Sequence, residues 1–237
     1  MITLIPKGNQ VDINANGAFL GSVRLSDNPC HKQNRYIKLN LTDADPTVSA
    51  ELFEQLHRME QRPLQAMVDS TDRQTADFLT AGGFVCKRKC YEVEARKTDW
   101  LGTAPPTMLL FTHKGTAEYE TCCRMLYDHY VQTHSSINPW TAGYLFFLEA
   151  LPGEVLYDTA DGEIVNFAFV EDNEIAYLYS STPSLLPAFA AALTEEIFSA
   201  HETVCFESDD CDPIAMELCS MFANQSERSF DTYIYDR

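Results

Sequence analysis

The 237-residue chain is most easily approached through what it lacks. No apolar run comes near the ~18 residues that a helix needs to cross a bilayer, so no membrane span is expected. The opening stretch Met1–Lys7 is short and broken at Pro6, unlike a secretory leader, and the expected location is the cytoplasm. None of the 10 glycines builds a P-loop, a dinucleotide fingerprint or a G-x-S-x-G elbow. Nucleotide-driven chemistry and serine hydrolysis therefore lose their sequence support. The eight cysteines contain no C-x-x-C pair, which argues against a zinc ribbon or a dithiol redox site and favours buried free thiols. His129 and His134 stand five residues apart, off a single helical face, and no metal site is expected.

Basic residues are the scarcest feature. Lys and Arg number 17 against 35 Asp and Glu, a net charge of −18 at pH 7. Residues 1–104 hold 13 of each sign, whereas residues 105–237 hold the remaining four basic and 22 acidic residues. An acidic half repels nucleic acid and anionic membrane, and it draws in cationic ligands. With 45% hydrophobic and 22% charged residues, the chain is a globular protein rather than a disordered one.

Hydrophobic periodicity divides the chain into two α/β halves around Thr98–Pro106, a stretch carrying glycine and two prolines. The first half reads as strands at Gly17–Val23, Arg35–Leu41, Leu64–Val68 and Phe84–Val93, with helices at Ala50–Met59 and Thr71–Ala81. The second reads as helices at Glu118–Val131 and Thr141–Ala150, followed by strands at Gly162–Phe169 and Glu174–Tyr179. A helix at Leu186–Phe198, a strand at Thr203–Glu207, a helix at Pro213–Phe222 and a strand at Phe230–Tyr235 complete it. Asp212 before Pro213 fits a helix N-cap with proline in the first turn. The shared order suggests duplication of one unit, and the first half lacks the helical material that opens the second.

This order resembles the GNAT N-acetyltransferase superfamily. The clearest local matches are Thr71–Phe84 (TDRQTADFLTAGGF), a helix ending in Gly-Phe, and Asp212–Leu218 (DPIAMEL). Together the halves look like a tandem GNAT protein: a truncated unit at 1–104 and a fuller one at 105–237, each a central mixed sheet flanked by helices. Family members hold the acetyl-CoA pyrophosphate on a Q/R-x-x-G-x-G/A loop that opens a helix, where backbone N–H groups meet the anion. Here that position reads Leu185-Leu186-Pro187-Ala188-Phe189-Ala190, with alanines in place of both glycines. The first half reads Val48-Ser49-Ala50-Glu51-Leu52, with a carboxylate where a phosphate would approach.

The resemblance implies acetyl-CoA as acyl donor and a primary amine, cationic by the charge argument, as acceptor. It places the pyrophosphate over Leu186, Pro187, Ala188, Phe189 and Ala190, and the pantetheine arm along Tyr179, Ser180 and Ser181. It makes Glu174 the candidate general base, with Glu149 and Asp209 as the next carboxylates, and puts Cys219 where many members carry a tyrosine acid. The rival expectation is a binding or regulatory module that kept the fold and lost the cofactor, because both pyrophosphate loops are degenerate. Oligomeric state has no sequence signal.

Overall fold

A computed structural model describes residues 1–42, 45–223 and 228–237. The chain forms two compact units. Unit 1 comprises Met1–Lys89, His134–Ala142 and Arg228–Arg237, and unit 2 comprises Cys90–Thr133 and Gly143–Glu227. Each unit is a mixed sheet with helices against it.

Unit 1 opens with β1 (Ile2–Lys7), β2 (Gln10–Ala15), β3 (Ala18–Ser26) and β4 (Arg35–Leu41). These four run antiparallel in sequence order. A short 3₁₀ turn leads into α1 (Ser49–Glu60), followed by β5 (Leu64–Asp69) and α2 (Arg73–Ala81). β5 lies parallel to β4. Its other neighbour is the last strand of the chain, β12 (Ser229–Tyr235), antiparallel from Phe230↔Asp69 to Tyr235↔Leu64. The closing strand, expected beside its own sequence half, thus completes unit 1. Its residues Asp231–Tyr235 are all buried, as befits a strand covered on both faces. Tyr235 packs against Phe53 and Phe84, and Phe53 also meets Phe78 edge-on, joining α1, α2 and the sheet into one core.

Unit 2 repeats the pattern. β6 (Val85–Arg96) enters it from Cys90 onward, β7 (Leu110–His113) follows, and α3 (Ala117–His134) and α4 (Tyr144–Glu149) precede β8 (Glu154–Ala160). β9 (Glu163–Glu171) and β10 (Glu174–Ser180) continue the antiparallel run. α5 (Leu186–Ala200), β11 (Thr203–Asp209) and α6 (Pro213–Ser220) follow. β11 lies parallel to β10 and antiparallel to β6, from Thr203↔Arg96 to Asp209↔Cys90.

In each unit the strand next to the parallel fifth one therefore comes from the other sequence half. β1, β2, β7 and β8 escaped the periodicity analysis. β1 is mostly exposed, β2 is consecutively buried at Val11, Asp12 and Ile13, and β7 is only four residues long, so none shows a clean alternation.

The sheet of unit 2 is covered on both faces. α5 and α6 share a core with Ala168, Ile175, Leu178, Val204 and Phe206. On the opposite face Tyr119 of α3 meets Phe169 edge-on and donates its hydroxyl to the Pro152 carbonyl at 2.8 Å, while Phe147 of α4 meets Tyr177. Burial pushes the Cys122 thiol on α3 up to about 12 and the Cys123 thiol up to about 11, so both sit as neutral core groups. No described helix is long and apolar enough to cross a membrane.

Candidate functional site

The parallel pair β10–β11 organises the site. Only Glu174↔Cys205 and Ile175↔Phe206 are in register, so the strands are joined at their starts and not along their C-terminal halves. β10 also carries a bulge. It steps from Ile175 to Tyr177 while its partner β9 steps one residue, from Val170 to Phe169. The extra residue, Ala176, resets the alternation. Ile175 and Leu178 both face the α5–α6 core, and Tyr177 and Tyr179 face α3 and α4.

At the C-terminal ends of these strands three groups meet. Tyr179 stacks on Phe167 with ring centroids 4.9 Å apart, and the His129 ring of α3 meets Tyr179 edge-on at 5.4 Å. His129 Nε2 lies 2.9 Å from Asp212 Oδ2. Asp212 follows β11 and caps α6: its Oδ1 accepts from the backbone N–H groups of Ile214 and Ala215, as the Asp-Pro pair leads one to expect. Both side chains keep contact with solvent, at 18% and 17% exposure. In the sequence His129 is weighed only against His134, which is off its helical face, whereas its partner in the fold lies 83 residues away. The cap at Asp212 was the only legible half of this pair.

The residues singled out from the sequence fall in different places. Glu174 is exposed and opens β10 beside the β9–β10 turn, paired with Glu171. Tyr179 lies five residues on, about 17 Å along an extended strand. Glu174 is therefore at the joined end of β10–β11, away from Tyr179, His129 and Asp212. The apolar residues that follow it are divided, because Ile175 faces one side of the sheet and Tyr177 the other. Glu149 ends α4 as an exposed residue, and Asp209 ends β11 opposite Cys90. Cys219 is 4% exposed within the α5–α6 core, where burial pushes its thiol up against a smaller opposing effect of Ser208.

Ser180 and Ser181 do continue from Tyr179. Ser180 is buried and its Oγ accepts from the Thr182 N–H, while exposed Ser181 donates its N–H to the Val165 carbonyl. The start of α5 is less open than its position suggests. A 3₁₀ turn at Pro183–Leu185 runs directly into it, so Leu185 N–H donates to Thr182 and Leu186 N–H to Pro183. Pro187 has no N–H at all. Leu186, Phe189 and Ala190 are fully buried in the core, and the Ala188 carbonyl accepts from the Thr107 N–H. An acyl-CoA arm would fit the parted strands, whose backbone amides suit the amides of pantetheine. The α5 start supplies few free N–H donors. In the preceding turn the Ser181 N–H and Oγ go to the Val165 carbonyl and the Thr182 N–H to Ser180 Oγ, so the polar groups left there among the described residues are those of the Thr182 hydroxyl and Ser184.

Solved structures with the same architecture are GCN5-related N-acetyltransferases. One from Sphaerobacter thermophilus superposes with a TM-score of 0.55 at 11% identity, covering 98% of this chain and 82% of its own. Another, from Kribbella flavida, gives 0.50 at 15% identity, covering 100% and 90%. The chain has the GNAT fold. At these identities the likeness concerns architecture, and no protein-family model and no curated protein matches the sequence. Within the GNAT fold, β10 and β11 are the parallel pair at the heart of unit 2, and β4 and β5 are its counterpart in unit 1.

Proposed function

We propose that unit 2 is an acyl-CoA-dependent N-acyltransferase, using acetyl-CoA to acylate a primary amine. The observation that carries this reading is the pair β10–β11, joined over two residues and then unpaired beyond the Ala176 bulge, with a polar cluster at its open end. Unpaired strand edges present N–H and C=O groups that an extended, amide-bearing arm satisfies as an added strand would. The thioester at the end of such an arm lies near Tyr179 and Ser180, with the Ser181–Ser184 turn contacting the phosphates. Proximity and orientation then supply much of the rate, so a small set of residues suffices.

The acceptor is a cationic amine. Residues 105–237 carry 22 carboxylates against four basic groups, a field that concentrates cations and speeds their arrival. Unit 1 is the non-catalytic partner. At its corresponding helix, Glu51 lies in the first turn of α1 and its Oε1 accepts from the Ile2 N–H at 2.9 Å, leaving a carboxylate where a phosphate would sit.

The test is a thermal shift with acetyl-CoA, followed by thiol release with spermidine or a lysine-containing peptide as acceptor. Saturation at ~100 times the dissociation constant adds about 2.7 kcal/mol to native stability. No shift at millimolar acetyl-CoA replaces this reading with the binding-module alternative, which the closed α5 start favours.

A further inference from the structure

We infer that His129, oriented by Asp212, is the proton acceptor of unit 2. The inference rests on the acyltransferase reading above and adds to it the group that handles the proton.

Three constraints fix the imidazole. The Asp212 carboxylate is anchored through Oδ1 to two N–H groups at the start of α6, which aims Oδ2 at His129. A carboxylate only accepts, so in the neutral ring Nε2 carries the hydrogen and donates it, and Nδ1 keeps its lone pair. The Tyr179 ring, itself held flat on Phe167, meets the imidazole edge-on. Among the described residues Nδ1 makes no hydrogen bond, and the ring is partly exposed. Since Tyr179 belongs to the end of β10 and Asp212 follows β11, the imidazole stands at the C-terminal ends of the two strands. A base held by a carboxylate on its far nitrogen is the arrangement that general-base chemistry requires.

The step balances without a further reagent. A free amine attacks the thioester carbonyl carbon, the nitrogen–carbon bond forms, and the nitrogen gives one proton to His129 Nδ1. The carbon–sulfur bond breaks and sulfur leaves with the electron pair. The proton on the imidazolium then passes to the thiolate, giving amide, thiol and neutral histidine. Cys219, buried and pushed toward the neutral thiol, takes no part.

The first measurement needs no substrate. ¹⁵N NMR of the histidine side chains in the free protein should find neutral His129 as the Nε2–H tautomer, and Asp212→Asn should abolish that preference. An Nδ1–H form in the unmodified protein overturns the assignment. The second compares acetyl-CoA binding and transfer to spermidine in His129→Ala. Affinity for acetyl-CoA should stay the same while kcat falls by about 10²–10⁴. Added imidazole should restore part of it, a rescue that loss of a packing role would not allow. Full turnover in His129→Ala overturns this inference and leaves the acyltransferase reading standing. Absence of acetyl-CoA binding in the unmodified protein overturns both, and binding without transfer to spermidine or to a lysine-containing peptide overturns the base assignment.

Discussion

Unit 1 and unit 2 share one strand plan, four antiparallel strands, a parallel fifth joined over two residues and an antiparallel sixth, yet they differ in the groups set around the parallel pair. Between β1 and β2 unit 1 has only the Gly8-Asn9 turn, whereas unit 2 places α3 and α4 between β7 and β8. β4 pairs with β3 in an unbroken register, whereas β10 bulges at Ala176. Asp72 caps α2 through the Thr75 N–H as Asp212 caps α6, but only Asp212 also holds a histidine. At the start of β4, where β10 has Glu174, Arg35 is bound by Asp27 and Glu60. The comparison teaches that the strand plan forms with or without the two inserted helices and the bulge, although in unit 2 both helices bury side chains against the sheet. Unit 1 has no helix between its first two strands, and so no counterpart of the one that carries His129.

Core truncation is the harshest way to probe this. Phe53→Ala in α1 and Phe189→Ala in α5 each remove a fully buried ring and should each cost about 3–5 kcal/mol in denaturant unfolding. Only the α5 variant should also weaken acetyl-CoA binding; equal losses of binding would erase the functional distinction between the units. The two helix caps offer a gentler pair. Asp72→Ala and Asp212→Ala should each lose about 1 kcal/mol of stability, but turnover should fall in the second alone.

A smaller effect is expected at Asp158, whose Oδ1 accepts from both the backbone and the side-chain N–H groups of Asn166. Burial raises its pKa above the ordinary 3.8. A raised carboxyl pKa means that the folded state binds the proton more tightly, so stability falls as pH rises through the folded value. Asp158→Asn should therefore raise the melting temperature at pH 7, and the gain should vanish below pH 3.8. A gain that persists at low pH would assign it to packing instead of ionisation. The smallest effect is expected from Glu174→Gln, which should leave turnover unchanged, since this exposed residue lies at the joined end of the strands. A large fall in kcat would move the chemistry to that end and displace His129.

Much of the secondary structure was legible because it is written locally. The stripe Leu52, Phe53, Leu56 marks α1, and Leu186, Phe189, Ala190, Leu193 and Ile197 mark α5, all of them buried. The cap at Asp212 and the glycines after α2 are equally local signals. Strand partners were not legible. β6 and β12 each look like the last strand of their own sequence half, and nothing in their residues says which β5-like neighbour they will join. Ladder hydrogen bonds are made by backbone groups common to every residue, so partner choice is settled by what the completed sheet buries.

The candidate site divides in the same way. The sequence by itself determined an acidic α/β protein of GNAT-like order, with Asp212 at a helix start and Cys219 in an apolar stripe. It also carried Tyr179, Ser180 and Ser181 to the end of a central strand. Only the tertiary structure decided which carboxylate faces which base. A one-residue bulge turns Tyr179 toward α3, and packing of α3 across the sheet brings His129 to an aspartate 83 residues away. Such contacts arise from the packing of elements whose local patterns are silent about one another: the resemblance offered Glu174 as the base, and the pairing of His129 with Asp212 is visible only in the folded chain.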